Sequence, residues 1–214
     1  AHIASGDAES AARLTTRTTV VLLVAFVPVS LLTCLCAEDI VTIIYARGAF
    51  DAESVRVCAQ ALRGYALMFV PMIFQEVYSR FLYGYRDARR PMINSSVSVV
   101  CNIALSVALC PRLGVLGVAV ATSVASALCG VLNLLSARRQ HPELHCGVLL
   151  HTLPWLAVGS AACGVTAWLC TARLAGSSPL VRFILTALLG IAAYALAAAP
   201  LLLRLWRQLR RKPE

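Results

Sequence analysis

The chain has 214 residues, of which 59% are hydrophobic and 14% are charged, and its mean hydropathy is +0.78. A soluble domain of this length could not bury so much apolar surface, so the composition predicts an all-α membrane protein with several spans. A net charge of +9 would favour a nucleic-acid partner in a soluble protein. In a membrane protein that charge is expected in the loops, where it sets topology and contacts anionic lipid headgroups, so no nucleic-acid partner is expected.

Six apolar stretches are long enough to cross a bilayer as helices, since one crossing needs about 20 residues. They are 19–37, 64–83, 92–109, 115–135, 149–169 and 180–203. Residues 1–18 are expected to form a cytoplasmic connection from an upstream part of the protein, because the chain does not begin with Met and shows no signal peptide.

Prolines and polar residues mark the first two spans. Pro28 and Pro71 are each expected to bend the span that contains them, because proline removes a helical hydrogen bond. Residues 38–50 alternate apolar and polar side chains and are expected to lie in the membrane interface. Asp51 is a candidate N-cap for the helix that follows.

The third and fourth spans are predicted to form a tight hairpin with its turn at 110–114, where Pro and Gly interrupt the helices. The fourth span carries a face of small residues that allows close approach of a neighbouring helix. These residues are Gly117, Ala121, Ala125 and Cys129. The predicted organisation is a four-helix part over 19–139, a cytoplasmic linker over 140–148, a two-helix hairpin over 149–203 and a basic cytoplasmic tail over 204–214.

The basic residues alternate between two sets of connections, twelve in one set and four in the other. The first set is Arg13, Arg17, Arg86, Arg89, Arg90, Arg138, Arg139, Arg204, Arg207, Arg210, Arg211 and Lys212, and the second is Arg47, Arg112, Arg173 and Arg182. Because basic loops stay in the cytoplasm, the larger set is predicted to be cytoplasmic, together with both termini.

Glu76 and Arg80 are charged residues within the second span, four apart on one helix. One interpretation is an ion pair that neutralises itself near the inner end of the helix. The other is a polar lining of a cavity that meets an anionic substrate, since charges within membrane spans are candidates for function.

A second polar cluster is predicted across the hairpin, where Asn102 and Ser106 share one helix face and Val118 and Thr122 share another. Equal separation from the turn places Asn102 and Thr122 at a similar depth, about 10 Å below it at 1.5 Å per residue. Their amide, hydroxyl and carbonyl oxygens suit a small alkali cation. Hydrogen bonding between the two helices is the alternative.

No catalytic motif occurs in the sequence, so neither enzymatic activity nor an organic cofactor is expected. The nine cysteines lack the spacing of metal ligands and are expected to be small packing residues.

Three segments in order resemble the MurJ/MviN family, flippases that move lipid II, the lipid-linked peptidoglycan precursor, across the bacterial inner membrane. They are 45–53 (YARGAFDAE), 80–91 (RFLYGYRDARRP) and 111–123 (PRLGVLGVAVATS). The residues that match the family motifs most directly are Arg47, Gly48, Phe50, Asp87, Arg89 and Pro91. The resemblance runs from about residue 5 to 139, and more loosely to the end of the chain.

The resemblance implies a two-lobed, fourteen-helix exporter fold of the multidrug/oligosaccharidyl-lipid/polysaccharide type. This chain would supply the last six helices, and the upstream half of the same protein would be its partner. The implied substrate is lipid II or a similar undecaprenyl-linked lipid, moved by alternating access. The hairpin at 149–203 would form a groove for the lipid tail.

Some members of that family also hold sodium with an Asn, an acid four residues later, a valine carbonyl and a threonine hydroxyl. This pattern falls on Asn102, Ser106, Val118 and Thr122, with Ser106 where the acid is expected. Two alternative functions are a related polysaccharide-lipid or drug exporter, and a non-transporting membrane scaffold that binds division or wall-synthesis proteins.

Overall fold

The computed structural model describes residues 8–46, 50–144, 147–174, 176–201 and 203. Over these ranges the chain is helical and contains no strand. The helices are α1 (Ala8–Leu35), α2 (Ala37–Tyr45), α3 (Ala52–Ala66), α4 (Phe69–Gly84), α5 (Arg89–Leu113), α6 (Val115–Gln140), α7 (Gly147–Arg173) and α8 (Pro179–Ala197). The predicted basic tail, 204–214, lies outside the described residues.

The prediction of an all-α polytopic fold with six spans is confirmed. Five helices, α1, α5, α6, α7 and α8, are each long and apolar enough to cross a bilayer, and α3 with α4 makes a sixth crossing. The helix α1 begins at Ala8, inside the segment predicted to be a connection, and it continues through Pro28.

The second crossing is broken. Helices α3 and α4 meet at Leu67 and Met68 with a bend of 40°. Pro71 explains this position, because proline has no N–H and its ring displaces the carbonyl four residues earlier, which belongs to Leu67. The predicted bend at Pro71 is therefore confirmed.

Two serines on other helices stabilise the break. The last carbonyls of a helix have no partner within it, and in lipid they need one. Ser123 Oγ of α6 donates to the Gly64 carbonyl at 2.7 Å, and Ser30 Oγ of α1 donates to the Ala66 carbonyl at 2.6 Å. These bonds join the end of α3 to two neighbouring helices.

The predicted hairpin between the third and fourth spans is present, but its turn is shorter than the predicted 110–114. Helix α5 continues through Pro111 to Leu113, and Gly114 alone connects it to α6. Pro111 is tolerated there because it removes only one bond in the last turn of the helix. Gly114 has φ +57°, a left-handed conformation that glycine adopts without a steric cost.

Residues 38–50 pack in part against protein, and their expected position in the membrane interface stays a prediction. The first part of the segment is the helix α2, and one side of it is buried against protein, including Ala37, Asp39 and Val41. Residues four apart share a helix face, so Ala37 and Val41 pack together against Ala59 of α3. Asp51 caps α3 as predicted, accepting the Ser54 N–H at 2.9 Å.

Helix α6 packs against α3, α4 and α5, and α3 and α4 also pack against α1. Helices α7 and α8 pack on each other, and both contact α1. A Cβ added at Gly159 of α7 would lie 2.9 Å from the ring of Tyr194 on α8, so this pair fits closely only because of the glycine.

The predicted small-residue face of α6 is confirmed, and it packs mainly on α5. All four of its residues are buried. A Cβ at Gly117 would lie 2.7 Å from the Leu109 carbonyl oxygen. Farther along, Ser98 Oγ of α5 donates to the Ala125 carbonyl at 2.6 Å.

The two ends of the helix bundle differ in charge. One end contains the starts of α1, α5 and α7 and the ends of α4 and α6, and we call it the basic end. Its described arginines are Arg13, Arg17, Arg86, Arg89, Arg90, Arg138 and Arg139. The opposite end contains α2 and the α5–α6 and α7–α8 connections.

Candidate functional site

The residues of the candidate cation site lie on α5 and α6 and are all half-buried. Ser106 Oγ donates to Asn102 Oδ1 at 3.3 Å, and we call these residues the amide pair. Thr122 Oγ1 donates to the Val118 carbonyl at 3.0 Å, and we call these the hydroxyl pair. Each pair is joined within its own helix and offers neutral oxygen atoms only.

The packing of α5 on α6 sets the relative depth of the two pairs. Ser98 bonds to Ala125, and Leu109 lies against Gly117 nearer the turn. On α5 the amide pair falls between Ser98 and Leu109, and on α6 the hydroxyl pair falls between Gly117 and Ala125. The two pairs are therefore level, as an antiparallel hairpin requires, and their contact across it stays a prediction.

Glu76 and Arg80 form the predicted ion pair on α4, with Arg80 Nη2 lying 3.4 Å from Glu76 Oε2. The Arg80 side chain is exposed and that of Glu76 is half-buried, so the pair lies at the surface of the described helices. The role of this surface as a cavity lining stays a prediction.

Two of the residues that match family motifs at the basic end, Asp87 and Pro91, help to shape the connection between α4 and α5. The Asp87 carboxylate accepts one hydrogen bond from Gln140 Nε2 of α6, at 2.7 Å, and another from the Arg90 backbone N–H of α5, at 3.2 Å. These hydrogen bonds favour the charged carboxylate and hold the pKa of Asp87 below its usual value. The bond from the Gln140 amide has the larger effect, and the bond from the Arg90 N–H has a smaller one. Pro91 is buried in the first turn of α5, where proline is accepted, whereas Arg89 is exposed.

The other motif residues lie near the opposite end. Phe50 is half-buried and packs beside Val41 and Ala59, with its ring 5.9 Å from that of Tyr45. Arg47 and Gly48 lie outside the described residues.

A buried ion pair that no sequence pattern indicated joins Asp39 of α2 to Arg182 of α8. The Asp39 side chain is 5% exposed and that of Arg182 is 25% exposed. Arg182 Nε donates to both carboxylate oxygens, at 3.0 and 2.9 Å, and its Nη2 also contacts Oδ1. Two planar groups meet here in the fork-like geometry that makes arginine–carboxylate bonds strong.

A second ion pair holds the other side of α2. Arg63 Nη2 of α3 lies 2.8 Å from Glu38 Oε1. Adjacent acidic residues on α2 therefore join it to α3 and to α8. No sequence spacing indicates the link to α8, since 143 residues separate its partners.

A second unpredicted feature is a buried amide network that connects α4, α5 and α6. Asn133 is fully buried; its Oδ1 accepts Asn94 Nδ2 at 2.8 Å, and its Nδ2 donates to Ser79 Oγ at 2.8 Å. The sequence did carry a signal for this network, because an amide in an apolar span must find a hydrogen-bond partner.

Among the described residues, no three His, Cys, Asp or Glu side chains come together as a metal site.

Comparison with known proteins decides the family. The family model described as "Lipid II flippase MurJ" matches residues 1–186. The chain belongs to the MurJ family. A probable lipid II flippase MurJ from Rhizobium tropici is 30% identical over 138 residues, which are 64% of this chain and 26% of that protein. One from Helicobacter pylori (strain ATCC 700392 / 26695) is 27% identical over 127 residues, 59% of this chain and 27% of that protein.

The fold also matches a solved MurJ structure. A lipid II flippase MurJ in an inward closed conformation superposes with a TM-score of 0.78 at 19% sequence identity, over 97% of this chain and 41% of that one. This likeness confirms that the six crossings have a MurJ arrangement. The chain spans about a quarter of the length of the curated MurJ relatives that it matches.

The ion pair between Asp39 and Arg182 is expected to stabilise the contact between α2 and α8. Asp39→Asn should lower the free energy of unfolding by about 2 kcal/mol, less than for a fully buried pair because Arg182 is partly exposed. Arg182→Gln should cost a similar amount, and the double variant should cost less than the sum. Thermal unfolding in detergent measures this double-mutant cycle.

The exposed pair of Glu53 and Arg56 on α3 provides a matched control, with an expected coupling below about 1 kcal/mol. A coupling between Asp39 and Arg182 no larger than that of the control pair would contradict the assigned role.

Proposed function

We propose that this chain forms the C-terminal part of a flippase that moves lipid II across the bacterial inner membrane by alternating access. The observation that carries the proposal is the match of the MurJ family model to residues 1–186. The names of the relatives and the fold of the solved flippase support it. Translocation changes no covalent bond, which agrees with the absence of a catalytic motif from the sequence.

The partner that this proposal requires is the upstream half of the same protein. Alternating access needs two groups of helices that move against each other around a central site. This chain would contribute the second group, and the headgroup cavity would lie between the two. In this arrangement the surface ion pair of Glu76 and Arg80 faces either that cavity or the upstream helices.

The α7–α8 hairpin is proposed to guide the undecaprenyl tail. Its sequence has no charged residue from 149 to 169, and large apolar side chains on both helices are exposed. They include Leu150, Val158, Trp168, Leu188 and Leu196. An apolar surface of this kind suits a long hydrocarbon chain and has no group that would select a headgroup.

We also propose that both termini are cytoplasmic, with the basic end of the bundle in the cytoplasm. The alternation of basic residues supports this orientation. The Asp39–Arg182 ion pair would then lie near the outer surface of the membrane.

The level pairs on α5 and α6 are proposed to form a weak sodium site. Asn102, Ser106, Val118 and Thr122 provide oxygen atoms at one depth, and such ligands suit alkali cations. With Ser106 in place of an acid, a bound cation has no adjacent negative charge, so its affinity is expected to be low.

Reconstitution in liposomes tests the proposed transport. The full-length protein is expected to move fluorescent lipid II between leaflets, whereas the 214-residue chain alone should not. Undecaprenyl phosphate is a matched control, because it has the tail without the disaccharide-peptide headgroup. Headgroup-selective translocation by the 214-residue chain alone would contradict the two-part mechanism, and failure of the full-length protein to move lipid II would contradict the function.

Ser106→Asp tests the proposed cation site by adding a charged oxygen. Sodium, compared with potassium or choline, should raise the melting temperature of the full-length variant more than that of the unchanged protein. Sodium at about 100 times its dissociation constant would stabilise the folded protein by about 2.7 kcal/mol. Ser96→Asp, an exposed position on the same helix, is the control. An equal sodium effect in the two variants would contradict the site.

A further inference from the structure

A cleft of about 630 Å³ lies at the basic end, beside the connection from α4 to α5 and the end of α6. Three arginines line it, namely Arg86, Arg89 and Arg90. Gln140 of α6 and Ile93 of α5 form other parts of the wall. The family resemblance marked residues of this connection, and the proposed transport mechanism does not use the cleft.

The charges of the cleft are unbalanced. Its single carboxylate, Asp87, is held by Gln140 and lies 3.7 Å from Arg90 Nε. Arg86 and Arg89 form no ion pair with any described residue, and both are exposed. Among the described residues these two guanidinium groups have no counter-ion, and guanidinium groups bind phosphate in a planar, two-point geometry.

The backbone at Arg86 is unusual for an arginine. Its φ is +62°, and no other described non-glycine residue has a positive φ. Helix α4 ends with the Asp87 N–H bonded to the Leu82 carbonyl and the Arg86 N–H bonded to the Tyr83 carbonyl. This pattern normally has glycine at the position of Arg86, because a side chain there is disfavoured. A non-glycine residue held in this conformation is a candidate for a functional role.

An apolar surface continues from the cleft along α5. Ile93 lines the cleft, and Val97, Val100 and Val107 follow it on the same helix face. All four side chains are exposed, from 45% at Ile93 to 71% at Val107. A basic cleft next to an apolar stripe along a membrane-spanning helix complements a single phospholipid: the cleft suits its anionic headgroup, and the stripe suits an acyl chain.

We propose that this cleft binds the phosphate of an anionic glycerophospholipid, with an acyl chain of the same lipid lying on the α5 stripe. Arg86 and Arg89 bind the phosphate oxygens. Asp87, held by Gln140, keeps Arg90 and the start of α5 in place. The apolar stripe distinguishes this occupant from a soluble phosphate, which would use the arginines alone. The site does not depend on lipid II transport and can be tested without it.

Binding of phosphatidylglycerol to the detergent-purified full-length protein, measured by native mass spectrometry, tests the site. The double variant Arg86→Gly with Arg89→Gln should bind this lipid about 30-fold more weakly, since each arginine near a membrane surface contributes about a factor of five. The matched control, Arg138→Gln with Arg139→Gln, removes the same charge at the same end but outside the cleft. It should change the affinity by less than about threefold, because its arginines do not line this cleft.

Arg86→Gly alone separates binding from folding. Glycine suits the left-handed backbone, so the melting temperature should stay the same or rise while lipid affinity falls. Ile93→Gln should also weaken binding, because it interrupts the apolar stripe. Equal losses in the cleft and control variants would show a general charge effect and overturn the site. Displacement by millimolar glycerol 3-phosphate, or equal binding of phosphatidylcholine, would overturn the assignment to an anionic phospholipid.

Discussion

The close approach of α6 to three neighbouring helices is the constraint on which the rest of the fold depends. Lipid tails are as apolar as leucine, so helices in a membrane gain little from the hydrophobic effect and associate through close packing and hydrogen bonds. At Gly64 of α3 an added Cβ would lie 2.6 Å from the Ala119 Cβ, and at Gly130 it would lie 3.0 Å from the Pro71 carbonyl oxygen of α4. A glycine in each contact, with an alanine opposite it at Gly64, allows these distances.

The same helix positions each candidate site. Its register against α5 brings the hydroxyl pair level with the amide pair. Asn133, in its C-terminal half, holds α4 and α5 through a buried amide network. At its end, Gln140 holds Asp87 and so shapes the arginine cleft. A shift of α6 along its axis would therefore alter the candidate cation site, the network and the cleft together.

Sequence patterns predicted the features that depend on residues close together in the chain. Hydropathy predicted six crossings, because a helix in lipid needs a long apolar stretch. Pro71 predicted the bend between α3 and α4, and the spacing of small residues predicted the face of α6 that meets α5. The prediction that the turn occupies 110–114 was wrong, because a proline can lie within the last turn of a helix as well as after the helix ends.

Features that depend on tertiary contacts were not predictable in the same way. Asp39 and Arg182 each look like a charge in a loop, and only the position of α2 against α8 brings them together. The left-handed backbone of Arg86 has no sequence signal, since glycine is the residue expected there. Asn133 could have been noticed as an amide in an apolar span, although its partners on α4 and α5 could not be named without the packing.

The measurement that tests the central role of α6 packing most directly is the thermal unfolding of Gly64→Ala, alone and combined with Ala119→Gly. The single variant should be destabilised by about 1–3 kcal/mol, because the added Cβ overlaps the Ala119 Cβ, and the second substitution should restore part of this loss. Gly147→Ala, where an added Cβ meets nothing within 4 Å, is the control and should be neutral or stabilising. A Gly64→Ala protein as stable as the control, or no rescue by Ala119→Gly, would contradict the account.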